Sequence, residues 1–470
     1  MNPVERPASR RMKRESSSSL EAFEADAPTY QAATGYAWFV VIALMVLYIV
    51  SLIDRQVLTL LIEPIQRDLE LSDTQVSLLI GFAFALMFTI AGLPIARLAD
   101  RSNRRNIITI GLAFWSLATL ACGMAQNFWQ LFFARTGVGI GEAALSPSAY
   151  SMIADYFPPE ELGRGMAVYT MGLYLGSGIA MLVGSTVVSL LIGTESVVVP
   201  LIGEVRPWQI VFLVVGAPGL LIALIFRLSV KEPARRELLS PRMPTQLHVP
   251  PEGLGVFLKT NLRTLSLVFM AFTFAGIASI GLLGWGPEFL RRTYDWPIAQ
   301  AGYAYGVCLL VLGGTGAWIG GWLSDRLSKR GMIDAPVRLS FYAFLPIGPL
   351  IATMCFMPNG WGAVAFLGLA TFAIATTQSL SPVIIQLITP NQYRAQVIAI
   401  YLFVANFIVI GIGPTAYAVV TDYVFEDKGA LRYSIALVAS VSMIFALLCI
   451  TLALRPFRAS HDRASARATL

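Results

Sequence analysis

Four ionisable residues stand where a lipid-embedded helix would hold them far from water: Asp54, Arg55, Arg135 and Glu142. Each interrupts an apolar run, and a charge at bilayer depth costs at least about 2.5 kcal/mol on insertion scales, so such residues pair with one another or line a cavity. Their charges sum to zero, as a water-excluded cluster requires. Asp54 and Arg55 fall about 12 Å below the far end of the first apolar run, and Arg135 falls at nearly the same depth in the fourth. Glu142 lies two turns beyond Arg135 on the same face, roughly 10 Å nearer the middle.

The chemistry open to this cluster is proton binding linked to anion binding. A carboxylate beside an arginine stays ionised, but when an anion engages the arginine the carboxylate loses its partner and gains affinity for a proton. The chain has only two histidines, His248 and His461, and neither lies in an apolar run, so a proton carrier at depth must be a carboxylate. Glu142 is the expected carrier. Asp54 is expected to hold Arg55 or Arg135 until substrate arrives, and Arg135 to tune whichever carboxylate it faces. An anionic head group is expected near Arg55 or Arg135. Its tail is expected along the second half of the chain, where Phe272, Phe274, Trp285 and Phe289 enrich one apolar run.

The elements that must position these residues follow from composition. Of 470 residues 56% are hydrophobic and 13% charged, where a soluble domain carries about a quarter charged. A membrane-crossing helix needs about 20 mainly apolar residues. Twelve such runs can be read, which predicts an all-α membrane protein of two six-helix bundles, 37–228 and 263–455. A disordered tail (1–36), a central linker (229–262) and a C-terminal tail (456–470) complete the chain. Most of the 34 Lys and Arg fall in the tails and even-to-odd loops, which puts both termini in the cytosol by the positive-inside rule. Basic residues spread in this way are loop anchors and exclude a nucleic-acid partner.

The two halves are related. Ala96-Arg97-Leu98-Ala99-Asp100-Arg101-Ser102-Asn103-Arg104-Arg105 recurs as Gly321-Trp322-Leu323-Ser324-Asp325-Arg326-Leu327-Ser328-Lys329-Arg330, and the same offset carries Gln75 onto Gln300. Duplicated bundles in a membrane point to transport, since a site between them opens to either side when one bundle rocks on the other. The turns themselves, Asp100, Arg101, Arg104, Arg105, Asp325, Arg326, Lys329 and Arg330, with Asp155, Arg164 and Arg394, are expected to control conformation and not to touch cargo.

Other chemistries are excluded or disfavoured. No Gly-Lys dipeptide of a phosphate-cradling loop occurs, so ATP does not drive the process. Gly137-Val138-Gly139-Ile140-Gly141 lies inside an apolar helix with no strand before it, and reads as close helix packing and not as a dinucleotide turn. Cys122, Cys308, Cys355 and Cys449 are isolated in separate runs and read as packing residues. No metal cluster or nucleophile–base pair is visible, so neither a cofactor nor an enzyme is expected. A channel and a non-transporting sensor are the rivals from other classes.

With twelve runs, a central loop and two small-x-Leu-x-Asp-Arg turns, the chain resembles the major facilitator superfamily, although Ala96 and Asn103 replace two glycines of the first turn. Asp54-Arg55, Phe114-Trp115-Ser116, Gly137 to Ala143 and Leu175-Gly176-Ser177-Gly178 resemble the spinster family of lipid transporters more closely. That resemblance implies a monomeric, proton-linked carrier of lysolipid or sphingosine phosphate-like amphiphiles, with its cavity between helices one, four, seven and ten. The alternative within transporters is a proton-linked carrier of small organic anions or drugs.

Overall fold

The computed structural model describes residues 34–191, 196–199, 203–233, 253–332, 334–378, 380–389 and 391–468. Nearly all of the expected tail (1–36) and residues 234–252 of the central linker lie outside the described residues.

Among the described residues, 11 helices are long and apolar enough to cross a membrane. Counted in chain order they are span one (Gly35–Leu60), two (Asp73–Ala99), three (Arg104–Cys122), five (Arg164–Leu191), six (Pro207–Ser229), seven (Leu262–Tyr294), eight (Ile298–Lys329), nine (Ala335–Cys355), ten (Gly360–Ile388), eleven (Gln396–Phe425) and twelve (Lys428–Arg463). The fourth crossing is built differently. It consists of Phe128–Glu142 and Leu145–Tyr156, joined at Ala143 and Ala144, and neither piece is long enough to span alone. The expected twelve crossings are thus met by eleven continuous helices and one that breaks immediately after Glu142.

Three further elements depart from the sequence reading. A short helix, Ile62–Leu69, follows span one and ends with Glu70 in the left-handed conformation. An antiparallel hairpin pairs Val197–Val199 with Gly203–Val205 between spans five and six. The last helix runs on to Ala468, so most of the segment read as a tail is a continuation of span twelve.

Within the first bundle span one packs on five, and span three on four and six; within the second, span twelve packs on seven and nine, and span ten on nine. Two seams join the bundles, span two against eleven and span five against eight. Both demand glycine. A side chain on Gly81 would strike the Ile410 carbonyl, and one on Gly178 would lie 2.9 Å from the Leu310 nitrogen. Wide π-type turns occur at the same seams, Leu78–Phe82 in span two, Cys308–Gly313 in the repeat-related span eight, and Asn406–Ile410 in span eleven. Such bulges leave carbonyls less tightly bonded and let a helix bend where its partner must slide.

Candidate functional site

Glu142 is the centre of the buried cluster. Ser51 and Arg55 lie one helical turn apart on span one and therefore share a face, and both reach across to the same oxygen of Glu142. Ser51 Oγ donates to Oε2 at 2.6 Å, Arg55 Nε donates at 2.6 Å, and Arg55 Nη2 stands 2.5 Å from it. The other oxygen, Oε1, is buried without a hydrogen bond. The Arg55 guanidinium also lies over two rings of span two, 4.4 Å from the Phe84 centroid and 5.2 Å from Phe88. These rings supply a favourable face for the cation while excluding water from one side of it.

Exposure separates the four charges. Asp54, Arg135 and Glu142 are 1–2% exposed, whereas the Arg55 side chain keeps 22%. Arg55 is therefore the member of the cluster that an incoming group can reach.

Arg135 makes no hydrogen bond to the carboxylate of Asp54 or of Glu142; its bonds go to backbone. It donates through Nη1 to the backbone carbonyl of Asp54 at 3.1 Å and through Nε to that of Leu79 at 3.4 Å. Its charge is tied to the end of span one and to the π turn of span two. The Asp54 carboxyl lies beside Trp115 of span three, but its Oδ1 has no hydrogen bond. The expectation that Asp54 holds an arginine is therefore corrected: Asp54 contributes its backbone to Arg135, and Glu142 holds Arg55. The reason is rotational. Asp54 and Arg55 are adjacent and so point about 100° apart around span one, which gives their side chains different neighbours.

The glycines that lead to Glu142 let its helix approach closely. A side chain on Gly139 would strike the Phe84 carbonyl, and one on Gly141 would come within 2.7 Å of the Gly111 oxygen and the Trp115 nitrogen. Close packing is thus their role, in agreement with the sequence reading.

The span-seven aromatics are placed away from the cluster. Phe272, Trp285 and Phe289 are buried in the second bundle. Phe272 packs edge-on against Phe344, Trp285 Nε1 donates to the Pro414 carbonyl, and Phe289 packs on Tyr294. Phe274 stacks on Phe445 of span twelve. The expected tail path along these rings is corrected, since their faces are occupied by the bundle's own side chains. Span seven packs on its own bundle as well as on the end of span one, and aromatic content alone does not say which of these its rings meet.

A second polar cluster closes the face opposite the termini. Arg292 at the end of span seven donates all five of its N–H groups: two to the Asp73 carboxylate at 2.6 and 2.8 Å, one to Glu288 at 2.6 Å, one to Gln66 and one to the Lys428 carbonyl. Arg291 grips Glu288 and approaches Glu63 at 3.5 Å. Asp422 of span eleven accepts from both the backbone and the hydroxyl of Thr74, capping the start of span two from the other bundle. Asp73 and Glu288 are fully buried. Glu288, on the last turns of span seven, is part of this latch. The latch was legible only indirectly: Arg291 and Arg292 are basic residues on the side where the positive-inside pattern disfavours them.

Toward the termini the residues expected to control conformation anchor mainly within their own bundle. Arg104 is buried, pairs with Asp155, and donates to Glu232 of the linker at 2.7 Å, while the Arg105 nitrogen donates to the same carboxylate. Glu232 was not anticipated. Arg164 lies over Trp38 and 3.8 Å from Glu161, and Arg326 lies over Trp322. Arg101, Lys329 and Arg330 are exposed. The side chains of Asp100, Asp325 and Arg394 lie outside the described residues.

Two bundles of six crossings, a buried charge cluster at mid-depth and a latch on one face are the architecture of a secondary membrane transporter. The chain belongs to the Major Facilitator Superfamily, whose sequence pattern matches residues 44–414. It is 29% identical over 431 residues to an MFS-type efflux pump of Mycolicibacterium smegmatis, covering 90% of this chain and 94% of that protein. It is 24% identical over 426 residues to the probable L-galactonate transporter of Escherichia coli, covering 87% of each. The fold superposes on a bacterial homologue of the human lysosomal transporter Spinster in an inward-facing, unoccupied conformation, with a TM-score of 0.72 and 25% identity over 92% of this chain and 98% of that one.

Proposed function

We propose that this chain is a proton-linked carrier of an amphipathic anion, of the lysolipid or sphingosine phosphate type, working by alternating access with both termini in the cytosol. The observation that carries the reading is the Ser51–Arg55–Glu142 arrangement. Arg55 is the exposed member, and its ion-pair partner has one oxygen free of hydrogen bonds. An anionic head that draws Arg55 away leaves Glu142 buried and unpaired, and a buried unpaired carboxylate takes up a proton. The linkage is reciprocal, so proton and anion favour each other's binding, as co-transport requires. Arg135 holds spans one, two and four in register and sets the field around the cluster. Asp54 is a second proton-binding candidate, sealed behind Trp115.

With the termini in the cytosol, the Arg292 latch lies on the outer face, and a form closed there fits the likeness to the inward-facing spinster homologue. That likeness favours lipid cargo. A second reading, a small organic anion, is favoured by the similarity to the probable L-galactonate transporter and by the burial of the span-seven rings. Flux in proteoliposomes separates the two. Lysolipids of increasing chain length should bind progressively more tightly, and an imposed pH gradient should drive their uptake. Equal competition by sugar acids, with no dependence on tail length, would assign the cargo to the second reading.

A further inference from the structure

A cavity of ≈ 660 Å³ on the face opposite the termini is bounded by both bundles. Its volume is in the roughly 300–1,000 Å³ range of small-molecule sites. The first bundle contributes the end of span one, the short helix after it, and the facing ends of spans five and six. The second contributes Arg291, Asp295 and the start of span eight. The floor is apolar, with Leu60, Val188 and Leu191 beside Trp208 and Trp296. The rim carries two charges of each sign, Arg67 and Arg291 against Glu63 and Asp295. Arg67 has a side chain 70% exposed and, among the described residues, pairs with its chain neighbour Asp68 through one nitrogen at 3.2 Å. Asp295 is exposed and outside every ion pair among the described residues.

We propose that this cavity holds a zwitterionic phospholipid with a primary ammonium, of the phosphoethanolamine class, drawn from the adjacent leaflet, and that its occupancy stabilises the conformation closed on this face. The position at the helix ends is the depth at which head groups lie, and tryptophan is favoured there because its ring is apolar and its N–H is not. A phosphate suits the two guanidinium groups. A primary ammonium, with three N–H donors, suits the two carboxylates better than a quaternary one, which has none. A purely anionic head would meet Glu63 and Asp295 with its own charge. The conformational consequence follows from the lining. The Glu63–Arg291 pair crosses the cavity wall from one bundle to the other at 3.5 Å, and Arg291 also grips Glu288 of the latch. When the bundles part on this face the cavity divides, so a ligand bound to both walls favours the closed state by its differential affinity.

The test uses the full chain in nanodiscs, with spin-label pairs reporting the separation of the bundles on this face and native mass spectrometry counting retained lipid. Adding phosphatidylethanolamine to phosphatidylglycerol discs should raise the ratio of closed to open forms at least about fivefold. Phosphatidylcholine should do much less, and soluble phosphoethanolamine, which lacks the tail, should do nothing. Arg67→Ala should abolish most of the response. Asp295→Gly should do the same while keeping the left-handed backbone found there, φ 55°. The proposal is overturned if both variants respond as the parent does, if phosphatidylcholine or phosphatidylglycerol alone gives the same ratio, or if the soluble head group suffices. Cargo flux is not the readout, so the outcome is independent of the proposed substrate.

Discussion

Glu142 can carry a proton only if its partner can leave, and the geometry supplies such a partner in Arg55. Both Arg55 contacts fall on Oε2, so the pair is not a two-oxygen fork and one oxygen stays available. Glu142→Gln removes the titrating group but keeps a side-chain oxygen for Ser51 and Arg55. It should abolish accumulation driven by a pH gradient while leaving exchange of cargo at equal pH, measured in the same proteoliposomes. Full gradient-driven uptake by both this variant and Asp54→Asn would exclude the cluster from coupling. Arg55→Lys keeps the charge, but a single ammonium replaces a planar group that both bonds Glu142 and stacks on Phe84. Apparent affinity for the anion should fall by about tenfold, the loss of one charge-assisted contact. The four charges were legible in the sequence because lipid makes an idle charge expensive. Their pairing was not, since it depends on how each span is rotated, and Asp54 and Arg55 differ by one residue yet face different neighbours. Ser51 gave no sequence signal at all: a serine in a helix is unremarkable until a buried carboxylate lies opposite it.

The crossing that holds Glu142 is also the one that is interrupted. Ala143 still bonds to Gly139 in the regular pattern, but the Ala144 N–H turns to Gly141, three residues back, so the helix after Glu142 starts anew. Before the break, Gly141 meets the backbone of span three, and backbone cannot step aside as a flexible side chain would. Gly141→Ala should therefore destabilise the protein by about 1–3 kcal/mol, as overpacking does, with a lower melting temperature in detergent. Gly35, with nothing near it, should accept alanine without loss. The glycine run was readable as a packing stripe, whereas the break was not, because alanine is a good helix former and no proline or polar residue marks the site. At the start of span nine a different contact makes a pH-dependent statement. Burial pushes the Asp334 carboxyl up, but hydrogen bonds from Arg458 and Arg338 outweigh it and hold the carboxyl below its ordinary value of 3.8. A carboxyl that is more acidic when folded contributes stability that is present above its unfolded value and is lost as pH falls through the folded one. Asp334→Asn should thus lower the melting temperature near neutral pH by a degree or two, on the order of 1 kcal/mol for a partly exposed pair. The difference from the parent should vanish once pH falls below the folded value; a difference that persisted there would assign it to packing and not to charge.

For the whole molecule, the duplication and the two-bundle plan were legible because a repeat at one offset leaves its mark on sequence, and the helix bundles follow from apolar run lengths. Which face would be closed was not, because that is set by contacts between residues hundreds of positions apart, such as Asp73 with Arg292 and Thr74 with Asp422. These contacts give the closed face its stability. Arg292 saturates every donor it has, while Asp73 and Glu288 are fully buried, so removing the arginine leaves Asp73 without its cation and Glu288 with Arg291 alone. Truncating one partner of such a buried pair costs about 2–5 kcal/mol. In this protein the cost falls only on the conformation in which the bundles meet, since on separation both carboxylates regain water. Arg292→Ala should therefore act on the conformational equilibrium more than on folding, shifting it toward the form open on this face by about 30-fold or more. Spin-label distances across that face should lengthen, those across the termini face should shorten, and Asp73→Asn should give a smaller shift of the same sign. The double variant should shift less than the sum of the singles, because the two residues form one interaction. Unchanged distance distributions in Arg292→Ala would mean that the two glycine-lined seams, and not the charges, hold the bundles together, and the same measurement on Gly178→Leu would then show the opening instead.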